Sequence, residues 1–217
     1  MTEKIRLMIV DDHKMVREGL KAFIAPLASL VVVGEAGDGL EAVELAGRLR
    51  PDVILMDVMM PKMDGIEATR QIIHQHPGIR ILIITSFVED EKVIAAIRAG
   101  ASGYLLKDSS PQELLTAVQD IHRGESALPP RIASMLVREL HKPPVRSDPG
   151  MTLTEREVEI LKMVAHGLSN QEIADRSVLS VWTVRTHITN ILTKLHLENR
   201  TQAALYALRV GWVDLEK

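Results

Sequence analysis

A chain of 217 residues without a single cysteine has room for one large or two unequal domains, and it cannot use disulfides, cysteine zinc sites or thiol catalysis. Hydrophobic residues at 46% and charged residues at 25% are the mix of a globular soluble protein, which excludes disordered and fibrous classes. The net charge of −3 conceals an asymmetry: residues 1–125 carry 14 Lys and Arg against 19 Asp and Glu, and residues 126–217 carry 12 against 10, so the parts stand at −5 and +2. A weakly basic second part is compatible with DNA but far from a strong electrostatic footprint.

The first apolar run, IRLMIV, ends at Val10 and is cut off by Asp11 and Asp12. It is too short for a signal peptide core, and no stretch approaches the roughly 18 apolar residues of a membrane span. A cytoplasmic protein is expected. Four further runs follow: VVVGEA over residues 31–36, DVILMD ending at Asp57, RILIITS ending at Ser86 and SGYLLK ending at Lys107. Between them apolar residues recur at helical spacing, as in Val16, Leu20, Phe23 and Ile24, or Leu114, Leu115, Val118 and Ile121. Near-continuous apolar strands alternating with helices predict an α/β fold, a five-stranded parallel sheet covered on both faces in a doubly wound layer structure.

A helix is predicted over RIASMLVREL, Arg131 to Leu140, and HKPPVRSDPG with its three prolines reads as an exposed linker. From Thr152 the periodicity is helical throughout. Thr154 with Glu157 and Ser169 with Glu172 match the capping box, Ser180 and Asn199 are N-cap candidates, and Gly167 and Gly211 are stop signals. Four short helices fit, giving a domain plan of 1–125, a linker with a short helix over 126–150, and an all-α unit over 151–217.

Ligands of open parallel sheets bind outside the carboxyl ends of the strands, near the reversal of strand order. The polar residues there are Asp11 and Asp12, Asp57, Thr85 and Ser86, and Lys107. Clustered carboxylates are driven toward protonation unless a cation joins them, so a hard divalent ion such as Mg2+, or Mn2+, is the simplest account. With such an ion and Lys107 drawing charge from a phosphodonor, Asp57 could attack phosphorus and become an acyl phosphate. Asp11 and Asp12 would hold the metal with Asp57 and a main-chain carbonyl, best supplied by Met59; Thr85 would hydrogen-bond the phosphoryl group. Asp64 precedes Gly65 and a periodic stretch, and is read as a helix cap. Pro61 is read as a rigid turn, and His13 as a solvated residue rather than a phosphoacceptor or ligand.

VDDH, LMDVMMPKMDG, ITS and GYLLK resemble the receiver domains of bacterial two-component response regulators over residues 4–125. The resemblance implies a flavodoxin-like fold, a sensor histidine kinase as phosphodonor, and a switch in which Thr85 and Tyr104 rearrange. For Tyr104 that role rests on resemblance alone, because aromatic strand residues are commonly packing.

In the third C-terminal helix Val184, Ile188, Ile191 and Leu195 share one face, leaving Arg185, Thr186 and Thr189 on another. A recognition helix needs this division, and Arg185 could pair with guanine. Thr183, Asn190 and Lys194 are expected as phosphate contacts. By composition alone a four-helix protein-interaction domain fits equally well. LTEREVEIL, GLSNQEIA, TVRTHITNILTKL and NRTQAA, however, resemble the LuxR-type helix-turn-helix of the NarL/FixJ subfamily. Arg176, Ser177 and Val178 depart from the family's leucine-bearing turn. Trp182 stands where a polar residue is common, a place from which it can alter turn packing or phosphate contact.

The resemblance implies a phosphorylation-controlled transcription factor that pairs as a homodimer. The last helix, with Ala203, Ala204, Ala207 and Leu208, serves either as a dimer face or as core. The implied partners are a sensor histidine kinase, double-stranded promoter DNA, a second copy and RNA polymerase, with no membrane. An aspartyl-phosphate enzyme is a rival, but the short strand–helix connections leave no inserted substrate cap, so catalysis is expected only of the chain's own phosphorylation and dephosphorylation. A ligand-sensing LuxR-type regulator would not carry Asp11, Asp12, Asp57 and Lys107.

Overall fold

The computed structural model describes residues 4–86, 90–128, 132 and 153–213. The chain divides into two compact units, Met1–Pro129 and Pro130–Lys217. The helix predicted over 131–140 and the linker over 141–150 lie outside the described residues, Ile132 apart.

In the first unit the strands are β1 (Ile5–Val10), β2 (Leu30–Ala36), β3 (Val53–Asp57), β4 (Arg80–Thr85) and β5 (Gly103–Leu106). They alternate with α1 (Lys14–Ile24), α2 (Gly39–Leu49), α3 (Gly65–Gln75), α4 (Asp90–Arg98) and α5 (Pro111–His122). All pairings are parallel, in the order β2-β1-β3-β4-β5. The order reverses between β1 and β3, because the chain builds β2 on one side of β1 and everything else on the other.

Both faces of the sheet are covered, which is why its strands read as continuous apolar runs. Leu7, Ile9, Val53, Leu55, Leu82, Ile84 and Leu105 form one core with Ile24 of α1 and Leu114, Val118 and Ile121 of α5. The alternate residues Met8, Ile54, Met56, Ile81, Ile83 and Tyr104 are equally buried and belong to the opposite face.

The second unit holds four described helices, α6 (Glu155–Ala165), α7 (Asn170–Ser177), α8 (Val181–Leu195) and α9 (Arg200–Arg209). Thr154 and Ser169 form capping boxes with Glu157 and Glu172, Ser180 and Asn199 cap α8 and α9, and Gly167 and Gly211 adopt positive φ just after α6 and α9. Ile160, Leu161, Val164, Ile173, Val184, Ile188, Ile191, Ala203 and Ala207 make its core, with Leu195, Ala204, Tyr206 and Trp212 packed partly buried around them. Ala203 and Ala207 are thereby committed to that core. Among the described residues no helix is long and apolar enough to cross a membrane.

Candidate phosphoacceptor site and nucleic-acid interface

Strand register assembles the acidic site at the carboxyl edge of the sheet. Val10 pairs with Met56, so Asp11 and Asp57 leave β1 and β3 side by side at the reversal point. Asp57 pairs with Ile84 and Thr85 with Leu106, while the Lys107 amide donates to the Thr85 carbonyl at 2.8 Å. Two carboxylates, a hydroxyl and an ammonium from the ends of four strands thus meet in one row.

Asp11, Asp57 and Thr85 are buried at 3%, 4% and 3% exposure. Lys107 spans the two acids, its Nζ 2.6 Å from Asp11 Oδ2 and 3.0 Å from Asp57 Oδ2. Burial pushes the Asp57 carboxyl above the usual aspartate range; the Lys107 ammonium opposes that and the neighbouring Asp11 charge adds to it. For Lys107 burial disfavours the cation, but bonds to Asp11 and Asp57 prevail and raise its pKa. Asp57 Oδ1 accepts the Val58 amide at 2.8 Å.

Asp12 lies further out, and the exposed His13 ring places Nδ1 2.7 Å from Asp12 Oδ1. Asp11 is no solvated helix cap: His13 occupies the N-cap of α1, and Asp11 Oδ1 accepts the His13 amide at 2.8 Å. Ligand atoms of Asp11, Asp12, His13 and Asp57 all lie within 4.8 Å of one another. Three carboxylates against one ammonium leave two negative charges in excess, the charge of one divalent cation. Met59 follows two residues after Asp57 with an exposed side chain. Tyr104 is buried on β5, one residue along from the partner of Ile84, and its amide donates to Ala127. Asp64 caps α3 by accepting the Glu67 amide at 2.8 Å and stands apart from this cluster, as its sequence context predicts.

Two supporting residues escape a reading of the sequence. A Cβ on Gly65 would fall 1.9 Å from the Asp57 carbonyl oxygen, so only glycine lets α3 approach the end of β3 this closely. The Asp-Gly pair signals a turn but not that approach. Arg17 of α1 donates from Nη1 to the Asp11 carbonyl at 2.7 Å and from Nε to Glu35 at 3.3 Å, tying the loop after β1 to α1 and β2. Its only sequence signal is a cation one turn into a helix.

In the second unit, α7 and α8 frame the turn at Val178–Ser180. On α8 the side chains of Val184, Ile188 and Ile191 face the core, whereas Arg185, Thr186, Thr189 and Asn190 are exposed and Thr183 is half-buried. Thr186 and Thr189 donate their hydroxyls to the carbonyls of Trp182 and Arg185, keeping oxygen lone pairs for an outside donor. Lys194 also has a partner within its own domain. Its Nζ lies 2.7 Å from Glu157 Oε2, an ion pair to the buried acid that also caps α6 through Thr154.

Residues 7–119 match the model of the response regulator receiver domain, and residues 151–207 that of the bacterial regulatory proteins of the luxR family. The chain belongs to the LuxR-type response regulators. The transcriptional regulatory protein LiaR of Bacillus subtilis is 46% identical over 205 residues, covering 94% of this chain and 97% of that protein. The response regulator protein VraR of Staphylococcus aureus is 44% identical over the same coverage. Among solved structures, the response regulator ChrA of a heme-sensing two-component system aligns with a TM-score of 0.53 and 37% identity, over 97% of this chain and 99% of that one. This response regulator therefore pairs a receiver domain with a LuxR-type DNA-binding domain, in a family of transcriptional regulators rather than classical enzymes.

Proposed function

We propose that the protein is a cytoplasmic transcription factor whose receiver, residues 1–125, accepts a phosphoryl group on Asp57 from a sensor histidine kinase. The linker over 126–150 joins it to the DNA-binding domain over 151–217. The observation that carries the reading is the Lys107 ammonium held between the buried Asp11 and Asp57 carboxylates, which meet at the reversal point of the sheet.

Asp57 supplies the nucleophile: a carboxylate oxygen forms the new O–P bond while the P–N bond of the donor's phosphohistidine breaks, and the departing imidazole takes a proton from solvent. Lys107 is within reach of a phosphoryl oxygen on Asp57, and Thr85, next in the row, would donate its hydroxyl to another. Asp11, Asp12, Asp57 and the Met59 carbonyl would hold Mg2+ or Mn2+, which when bound neutralises charge on the transferring group. Thr85 and the buried Tyr104 lie on neighbouring strands, so a shift of Thr85 toward the phosphoryl group would be felt at Tyr104.

Phosphorylation is read as promoting a homodimer that binds double-stranded promoter DNA and works with RNA polymerase. Arg185, Thr186 and Thr189 would face base edges; Thr183 and Asn190 would contact phosphates. Lys194 is the weakest of this set because Glu157 holds its ammonium.

Intact mass after incubation with Mg2+ and acetyl phosphate tests the chemistry. Wild type should gain one phosphoryl mass and Asp57→Asn none; equal labelling of both would refute Asp57 as acceptor.

A further inference from the structure

The chain has two tryptophans, and they are treated oppositely. Trp212 packs edge-on against Tyr206, ring centroids 6.0 Å apart, beside the core of the DNA-binding domain. Trp182, in the first turn of α8, is 75% exposed. A large apolar ring left mostly in water at a helix start contributes little burial to the domain that carries it.

Its position on the helix is what gives it a use. Trp182, Arg185, Thr186 and Thr189 stand at i, i+3, i+4 and i+7, one continuous stripe opposite Val184, Ile188 and Ile191. Arg185, Thr186 and Thr189 are the residues assigned above to base edges, so the indole extends that surface toward the N-terminal end of the helix. With three quarters of the side chain exposed, most of the ring is open to an outside partner rather than packed on the turn. The indole has little to offer a phosphate beyond a single N–H, whereas its ring matches the apolar groups that DNA displays in the major groove, the thymine 5-methyl and the deoxyribose edge.

We propose that Trp182 is a DNA-contacting, specificity-determining residue that packs its indole against a thymine methyl or an adjacent deoxyribose at the border of the site read by Arg185. The inference rests on the DNA-binding reading of α8 and adds an apolar contact to the polar ones.

The test uses the full chain, phosphorylated with acetyl phosphate and Mg2+, and a duplex selected by wild type from a pool with a randomised core. Affinity is measured for wild type, Trp182→Ala, Trp182→Phe and Arg185→Ala across a salt series, and on duplexes with each thymine replaced in turn by deoxyuridine. Trp182→Ala should weaken binding about 5- to 30-fold, with Trp182→Phe between, while leaving the salt slope unchanged because no phosphate charge loses its partner. A thymine whose replacement weakens wild type but not Trp182→Ala identifies the methyl contact; a Trp182→Ala loss with no deoxyuridine effect identifies the sugar. Unchanged affinity in Trp182→Ala, alone or with weakened self-association, overturns the inference while Arg185→Ala still weakens binding and so leaves the DNA reading intact. If wild type selects no duplex, the DNA reading fails and the inference with it. Because the side chain is exposed, both Trp182 variants should melt with wild type.

Discussion

Around Asp57 the decisive residues act through space rather than through charge alone. Gly65 is the clearest case, since a methyl group there would lie only 1.9 Å from the Asp57 carbonyl oxygen. Gly65→Ala should displace either α3 or the end of β3, lower receiver stability by about 1–3 kcal/mol, and slow phosphorylation from acetyl phosphate. Calorimetry with a timed intact-mass series checks both, and a variant with wild-type stability and rate would contradict the account. The sequence makes Asp11, Asp57, Thr85 and Lys107 legible because each ends or follows an apolar run, the place where parallel sheets expose polar chemistry. Gly65 and Arg17 are not legible in the same way. Their importance lies in a close approach and in a bond to the Asp11 main chain, neither of which leaves a pattern in residue order.

At the level of elements, local signals succeeded wherever they were self-contained. The capping boxes at Thr154 and Ser169 and the cap at Asp64 each need only residues three apart, and all formed. Strand ends were legible to within a residue: β4 stops at Thr85 rather than Ser86, and β5 at Leu106 rather than Lys107. The ion pair of Lys194 with Glu157 lies outside such local signals, because its two members are 37 residues apart and helical periodicity carries no information about another helix. That pair has a pH consequence. Burial raises the Glu157 pKa, but the Lys194 ammonium and the Thr154 amide and hydroxyl outweigh it, and the net value lies below the ordinary glutamate range. The stabilisation is therefore complete above the unfolded-state pKa of about 4.3 and is lost as pH falls through the lower folded value. Glu157→Gln should cost about 1–3 kcal/mol at pH 7, with the gap to wild type closing below about pH 4. Both tryptophans lie in the DNA-binding domain, so urea unfolding followed by tryptophan fluorescence reads this domain alone. A pH-independent gap would argue against the ion pair.

The turn between α7 and α8 carries a second element-scale prediction. Val178 has φ +55° and is 91% exposed, a β-branched residue in the left-handed region with no packing to compensate. The Leu179 amide closes the turn on the Ala174 carbonyl at 2.9 Å, so the conformation is set by the helix end rather than by the valine. Val178→Gly should stabilise the domain by about 0.5–1 kcal/mol in the same fluorescence assay, and a loss of stability would show that the valine makes a contact of its own. The family resemblance flags Val178 as a departure from a leucine-bearing turn. Only the backbone angle shows which way the departure acts.

For the whole molecule, the acidic sheet edge belongs to one compact unit and the exposed face of α8 to the other. The switch from strand–helix alternation to unbroken helical periodicity made that division legible in the sequence, and the alternation of buried residues within each strand explains why both faces of the sheet needed helices. What joins the two functions is the claim that an acyl phosphate on Asp57 controls pairing and DNA binding. The most direct test measures solution mass by light scattering and binding to the selected duplex on the same samples, wild type and Asp57→Asn, with Mg2+ and with or without acetyl phosphate. The account predicts that acetyl phosphate shifts wild type toward dimer and tightens DNA binding about 10-fold or more, the scale of a 1.4 kcal/mol coupling, while Asp57→Asn responds in neither. Phosphorylated wild type that stays monomeric and binds DNA no more tightly than the unmodified chain would contradict it.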